Sequence, residues 1–340
     1  MQTAIVILNW NTKDLLSKFL PPLLSSTAGR DATVIVADSA SKDGSMEMMA
    51  EAFPGVRRIV LDRNYGFAEG YDKALEGLDA EYYVLINSDV EVTEGWLDPL
   101  VDWMESHPDC GACGPKLKSW YDRDSFEYAG AAGGFIDKYG FPFCRGRVMN
   151  LIEKDEGQYD TPMEVMWVSG ACMMVRRSAW EELGGLDRRF FAHMEEIDLC
   201  WRMQLAGYSI ASVPQSVVYH MGGGTLPTSS PWKLELNYRN NLLMLENCLP
   251  GTVGICKARI LLALRMVLDG ISAVIYLFQR KPEYFSAVWN AHQGFRKLRL
   301  GMKRSSMMPV KGRYEGWIVP KALFMKPDKL FCILRDSLYL

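Results

Sequence analysis

What the chain lacks narrows the field before any motif is read. It has no internal repeat and no low-complexity segment, so neither a solenoid nor a disordered chain is expected. Its eight cysteines are scattered, and only Cys110 and Cys113 stand close together. No second Cys or His pair accompanies them, so a zinc site is not expected, and reduced thiols in the cytoplasm are. Met1-Gln2-Thr3-Ala4-Ile5 enters a strand-like run without a basic stretch and an apolar stretch before it, so export is not expected. The first strand-to-helix turn, Asn9-Trp10-Asn11-Thr12, holds no glycine. A dinucleotide fold places Gly-x-Gly-x-x-Gly there so that backbone can approach a pyrophosphate, and a sugar-phosphate nucleotidyltransferase would want a glycine-rich loop, so both readings lose ground. Met221-Gly222-Gly223-Gly224-Thr225 has glycines but no Gly-Lys-Ser/Thr after them; it reads as a mobile loop, not a phosphate-binding one.

What is present is ordinary in bulk and specific in order. A chain of 340 residues, 49% hydrophobic and 23% charged, suits one large domain with an appendage, or two domains. Ala4–Leu8 reads as a buried strand, and Leu15, Leu16, Phe19, Leu20, Leu23 and Leu24 recur at helical spacing after it, in a helix that Pro21-Pro22 should kink or end. Thr33–Ala37 and Val56–Leu61 are further strands, each followed by a polar loop and a helical pattern. Tyr82–Ile86 is a fourth, a continuous apolar run that stops at Asn87-Ser88-Asp89. Such alternation predicts right-handed crossovers and a parallel sheet with helices on both faces. The strand ends at Asn9, Asp38, Asp62 and Asn87 then share one edge, where open α/β sheets bind ligands. There Asp89, with Asn87 or Glu91, has the oxygen donors to hold Mg²⁺ or Mn²⁺ against a nucleotide diphosphate, although an ordinary polar turn contains the same residues. Asp38 can accept the N3–H of a uracil or thymine ring, or cap its own loop.

Four segments carry a family resemblance. They are Ile7-Leu8-Asn9-Trp10-Asn11, Asp38-Ser39-Ala40-Ser41-Lys42-Asp43-Gly44-Ser45, Asn64-Tyr65-Gly66-Phe67-Ala68-Glu69-Gly70 and Leu85-Ile86-Asn87-Ser88-Asp89-Val90. In order and spacing they resemble the motifs of family 2 glycosyltransferases, especially the bacterial rhamnosyltransferase-like branch. The resemblance implies the GT-A fold, an α/β fold with a mainly parallel central sheet. It also implies a dTDP- or UDP-linked sugar donor, a divalent metal (Mg or Mn) and inversion at the anomeric carbon. Nucleotide-sugar contacts are implied at Asn9, Asn11, Asp38, Asn64, Gly66, Asn87 and Ser88, with Asp38 at the base. Asp89 is the implied metal ligand, in a motif whose usual first acid is here Asn87.

The middle of the chain extends the match. Trp167-Val168-Ser169-Gly170 begins a segment that implies an acceptor or sugar pocket at Trp167, Ser169 and Gly170. In Glu195-Glu196-Ile197-Asp198-Leu199 the second acid resembles the family's catalytic base, so Glu196 is expected to take the acceptor's proton. Glutamate stands there in place of the usual aspartate, which leaves Glu195 and Asp198 as alternatives. Read without the family, acids at a helix start are stabilised by the macrodipole, and Asp198 with Arg202 is an ordinary i,i+4 pair. His220 resembles a third metal ligand of some members and would favour Mn²⁺ tolerance.

Composition changes near Trp232, and the expected division is a catalytic domain over 1–247 and a helical, basic region over 248–340. Ile255 to Phe278 is long enough to span a bilayer, but Arg265 and Asp269 lie near its middle and can pair. A helix packed on the domain or lying in the membrane interface is therefore expected in preference to a spanning one. Residues 280–313 carry nine Lys or Arg (including Arg304) against one acid, Glu283, which suits an anionic membrane surface or a lipid pyrophosphate. The expectation is a hexosyltransferase, peripheral on the inner face of the cell membrane. It would move a sugar such as rhamnose to a saccharide or lipid-linked acceptor during bacterial surface polysaccharide synthesis, with no nucleic-acid partner. A non-catalytic nucleotide-binding domain is the alternative, and the glutamate at position 196 is its best support.

Overall fold

The computed structural model describes residues 2–222, 230–303 and 305–338. Gly223, Gly224 and Thr225 of the glycine-rich stretch, and Arg304 of the basic segment, lie outside them.

The apolar runs form the strands expected of them. In chain order come β1 (Thr3–Asn9), α1 (Lys13–Thr27), β2 (Ala32–Asp38), α2 (Ser45–Ala52), β3 (Arg57–Val60), α3 (Gly66–Leu75) and β4 (Tyr82–Ile86). The four strands are parallel, in the spatial order β4-β1-β2-β3. Alternate residues feed two layers, as the period of a strand requires. Ile5, Ile7, Val84 and Ile86 pack with Leu16, Leu20 and Leu23 of α1, and Ala4, Val6, Tyr83 and Leu85 pack with Ala68, Tyr71 and Ala74 of α3. Helix α1 runs through Pro21 and Pro22 to Thr27 and does not end at them. Pro21 is exposed, as are Ser17 and Lys18, whose carbonyls lose their helical donors, so water can replace those bonds while the leucine face stays packed.

Beyond β4 the sheet becomes mixed. The next elements are β5 (Val90–Val92), α4 (Asp98–Ser106), β6 (Cys110–Ser119), β7 (Gly134–Asp137), β8 (Pro142–Cys144), β9 (Arg147–Val148), β10 (Leu151–Ile152), β11 (Met163–Glu164) and β12 (Cys172–Arg176). After them come α5 (Arg177–Leu183), a 3₁₀ turn (Arg188–Phe190), α6 (Glu195–Leu205) and β13 (Ser209–His220). The large sheet has the order β11-β13-β6-β12-β4-β1-β2-β3, with β5 on β13. Strand β12 is antiparallel to both β4 and β6, and β13 is parallel to β6. Two pairings position the ligand edge. Asn87 N–H donates to Ala171 C=O at 2.9 Å, and β5 brings His220 opposite Val90, beside Asp89.

The C-terminal region is built from α7 (Pro231–Val253), α8 (Ile255–Phe278), α9 (Pro282–Leu298), β14 (Arg313–Tyr314), α10 (Ile318–Phe324) and α11 (Pro327–Leu338). Helix α7 passes residue 247 without a break, and Leu242, Leu245, Leu261, Phe295, Leu330 and Phe331 share one core cluster with the catalytic layer. A smaller sheet, β10-β9-β8-β7-β14, joins the tail to the middle of the chain. Asp137 fastens that join: its carboxylate, buried, accepts the N–H groups of Tyr139 and Phe141 at 2.9 Å and of Ile318 at 3.0 Å. Burial raises the Asp137 pKa, and the three N–H bonds oppose that rise. Asp137→Ala should therefore cost on the order of 3 kcal/mol, about 1 kcal/mol for each buried N–H left without an acceptor. Urea unfolding checks it, with limited proteolysis expected to cut first within 313–338; an unchanged unfolding midpoint would contradict this account of the join.

Candidate active site

The carboxyl ends of the strands open into a cavity of about 430 Å³. Its floor is set by loops that bond to each other. Asn9 Nδ2 donates to Asp38 Oδ1 at 2.7 Å and to Ser41 Oγ at 3.1 Å, while Asp38 Oδ2 accepts Ser41 N–H at 2.9 Å. Asn11, at φ +54°, accepts Lys42 N–H at 2.7 Å. Asp38 thus caps its own loop. Asn9, Asn11 and Asp38 stitch the floor together, and Leu8, Trp10 and Ser39 are the residues of these loops that face the cavity.

Asn64 Oδ1 accepts Gly66 N–H at 2.8 Å and starts α3. Gly66 has φ +75°, and a Cβ there would sit 2.5 Å from the Phe191 ring and carbonyl oxygen. Only glycine permits that approach. It lets Phe67 N–H and Ala68 N–H donate to Phe191 C=O at 2.6 and 3.2 Å.

Across the cavity, His220 Nε2 lies 3.1 Å from Asp89 Oδ1 and its Nδ1 lies 3.3 Å from Glu127 Oε1. Burial opposes a charge on this imidazole, but the carboxylates of Glu127 and Asp89 outweigh it and push the pKa up to about 10. Because the two acids face opposite ring nitrogens, they do not share a common point with the ring. Among the described residues no three His, Cys, Asp or Glu side chains form a ready-made metal site. Two donors suffice where substrate phosphates complete the shell, and cis ligands of an octahedral ion with ~2.1 Å bonds stand about 3 Å apart, close to the Asp89–His220 spacing. The donor set of one carboxylate and one imidazole fits a divalent cation that displaces the Nε2 proton of His220, since only the neutral ring can ligate. Glu91, weighed with Asp89 from the sequence, is instead bonded to Trp120 and Arg123.

The acids of α6 enter on a strained approach. Phe191, His193 and Met194 have φ of +65°, +72° and +73°. Non-glycine residues in this region cost on the order of 1–3 kcal/mol each, so the segment must be held from outside. Asn240 of α7 does so: its Nδ2 donates to the carbonyls of Phe190, Ala192 and His193 at 2.9, 2.8 and 2.8 Å, and Arg239 adds a 2.7 Å bond to Phe190 C=O. Glu195 and Glu196 both face the cavity, and each keeps Oε2 without a hydrogen-bond partner. Burial raises both carboxyls. The charges of Glu196 and Asp198 raise Glu195 further, while backbone N–H groups at the helix start and at Gly170 favour ionised Glu196. Both carboxyls are therefore held above the ordinary glutamate range and share one environment at the start of α6.

Asn64, Gly66, Asn87, Ser88, Asp89, Ser169, Gly170, Glu195, Glu196 and His220 are brought together. Asp198 is not: it is fully buried, paired with Arg202 at 2.6 Å and Asn247 at 2.8 Å between α6 and α7. Trp167 also turns away, its indole against Gly134 and its Nε1 donating to Phe135 C=O at 3.0 Å. Sequence reasoning missed Trp10, Glu127, His193, Trp232 and Lys233 as cavity residues. His193 is kept neutral, its pKa lowered to about 4 by burial and by the Lys233 charge.

Residues 4–184 match the family described as "Glycosyl transferase family 2". The N-acetylglucosaminyl-diphospho-decaprenol L-rhamnosyltransferase of Mycobacterium tuberculosis is 30% identical in an alignment of 234 residues that covers 64% of this chain and 75% of the relative. Staphylococcus aureus TarS 1-349 in complex with UDP-GlcNAc superposes with TM-score 0.56 at 14% identity, over 87% of this chain and 82% of that one. The mannosyltransferase PcManGT of Pyrobaculum calidifontis, in complex with GDP-Man and Mn²⁺, gives 0.54 at 14% identity over 87% of each chain. These likenesses to solved structures bear out the GT-A fold.

The clamp makes a structural prediction. Asn240→Leu should speed amide hydrogen exchange within 191–196 at least tenfold while leaving the amides of β1 and β4 unchanged, because three carbonyls lose their donor at once. Uniform protection in that variant would show that the strained segment holds itself.

Proposed function

This chain belongs to glycosyl transferase family 2, and we propose on that premise that it performs a metal-dependent, inverting transfer of a sugar, rhamnose foremost, from a dTDP- or UDP-linked donor. The acceptor is a lipid-linked saccharide, and the product serves cell-surface polysaccharide synthesis at the cytoplasmic face of the membrane. The observation that carries this reading is the meeting, in one cavity, of the Asp89–His220 donor pair with a buried carboxylate whose Oε2 has no partner. The acceptor class is supported by the mycobacterial relative, whose name specifies a diphospho-decaprenol-linked sugar.

Each residue then has a task. Asp89 and His220 hold the cation, which when bound neutralises charge on the departing diphosphate. Lys233, half-buried beside them in the cavity, adds a second positive group toward the phosphates. Trp10 offers its face to the nucleobase, and Asp38, buried and accepting hydrogen bonds at both carboxylate oxygens, shapes the loop beneath it. Ser169 and Gly170 line the sugar side. Glu196 Oε2 takes the acceptor's hydroxyl proton while that oxygen bonds to the anomeric carbon, and the carbon–oxygen bond to the diphosphate breaks on the opposite face. Glu195 keeps its proton, which spares the site a second negative charge next to the base.

Asp89→Ala should abolish Mn²⁺-dependent donor binding and turnover in a protein that stays folded by circular dichroism, measured by titration calorimetry and product assay; full turnover would remove Asp89 from the metal site. Glu196→Gln should keep donor affinity and lower the single-turnover rate by roughly 10²–10⁴-fold, the usual contribution of a positioned base. A raised carboxyl pKa means that the base form is gained only as pH rises past the ordinary glutamate range, so wild-type rate should fall as pH drops through that shifted value. That acid limb should be missing in Glu196→Gln; if it persists, another group is the base.

A further inference from the structure

Helix α8 is amphipathic the wrong way round for a soluble protein. Its two charged residues in mid-helix point inward: Arg265 and Asp269 are 5% and 1% exposed and are bonded to each other at 2.7 Å. Arg265 also lies 4.0 Å from the Phe141 ring centre and donates to Gly140 C=O, and His292 of α9 stands 3.4 Å from Asp269. Its outward side is apolar. Ile260, Leu264, Val267, Ile271, Val274 and Phe278 recur at intervals of four and three, and Ile260, Val267 and Phe278 are 61%, 60% and 84% exposed. From 260 to 278 every exposed residue of the helix is apolar or glycine. Water is a poor solvent for a face of that length.

We infer that this face of α8 is a membrane-docking surface, which seats the protein on an anionic bilayer leaflet with the helix lying in the interface plane. Among the described residues α8 is the one helix whose length and composition would permit crossing a membrane, yet its charged side is packed against the protein, so it lies on the bilayer and does not cross it. Cations rim the apolar face at both ends, Lys257 and Arg259 before it and Arg280 and Lys281 after it, all exposed, and the only acid between 255 and 281 is the inward Asp269. That arrangement complements anionic headgroups. It does not complement a second copy, since either orientation of a helix pair sets cations against cations or leaves them without acids. Nor do charges flank the apolar positions as in a paired coiled coil, because Ala263, Gly270, Ile275 and Leu277 continue the apolar surface sideways. The inference deepens the proposed function, since it brings the protein to the medium that holds a lipid-linked acceptor, but it rests on the helix and not on the reaction.

The test is cosedimentation of the full chain with vesicles of phosphatidylglycerol and phosphatidylcholine, against phosphatidylcholine alone. Wild type should bind the anionic vesicles at least tenfold more tightly, and less so as salt rises. The double variant Val267→Glu, Ile271→Glu should lose that binding at least tenfold while keeping its circular dichroism and its Mn²⁺-dependent donor hydrolysis in vesicle-free buffer. Undiminished binding by the variant, or no binding by wild type at low salt, overturns the docking surface. So does a wild-type dimer in lipid-free buffer that the variant converts to monomer, and so does wild type that resists alkaline carbonate extraction, as a spanning helix would. If hydrolysis is absent in wild type while vesicle binding behaves as stated, the proposed reaction falls and the docking surface stands.

Discussion

One strand pairing holds this architecture together. Strand β12 runs antiparallel beside β4, and at its mouth Asn87 N–H meets Ala171 C=O. Without that contact the parallel half of the sheet would carry Asn87-Ser88-Asp89 alone, and the mixed half would carry Ser169, Gly170 and the α6 acids alone. The same pairing buries Tyr82–Ile86 completely, so the residue that ends the strand is delivered with little freedom. A site assembled from two halves of a chain depends on such rigid delivery, because catalytic geometry tolerates errors of only about 1 Å.

The second demand is energetic. Two adjacent carboxyl groups stand largely out of water, at the end of a segment with three left-handed residues in four, and both features cost free energy. The compensation comes from α7. Its buried Asn240 is committed to the carbonyls before α6, and Asn247 to Asp198 behind it. Asp198, occupied by Arg202 and Asn247, fixes α6 so that its two preceding acids face the cavity.

Much of the fold was legible because doubly buried strands read as unbroken apolar runs, and their polar ends at Asn9, Asp38 and Asn87 were visible without coordinates. Asp89 is legible from its place after a buried strand and Glu196 through the resemblance, and both face one cavity. Glu127 was not legible: it lies in an irregular stretch with no period around it, and its place is set by Leu117 C=O, which accepts the Glu127 N–H at 3.0 Å. Trp167 was named from the motif beside it, yet its direction is decided by the missing side chain of Gly134, 33 positions earlier. The charges of α8 were plain in the sequence. Which way they face was not, because that depends on Gly140 and Phe141, far away in the chain.

The close approach of Gly66 and Phe191 has a consequence for how such a protein can diverge. The family match ends at residue 184, so the stretch that carries Phe191, the α6 acids and His220 lies beyond it. Yet Phe191 is locked to the start of α3 by two backbone bonds and by a space that only glycine leaves. The joint is a keyed coupling between the two stretches, added to the pairing of β13 with β6. Recombination that brings a new acceptor-side segment to an old donor-side domain, in nature or in the laboratory, would yield a working chimera only when both faces of that key travel together.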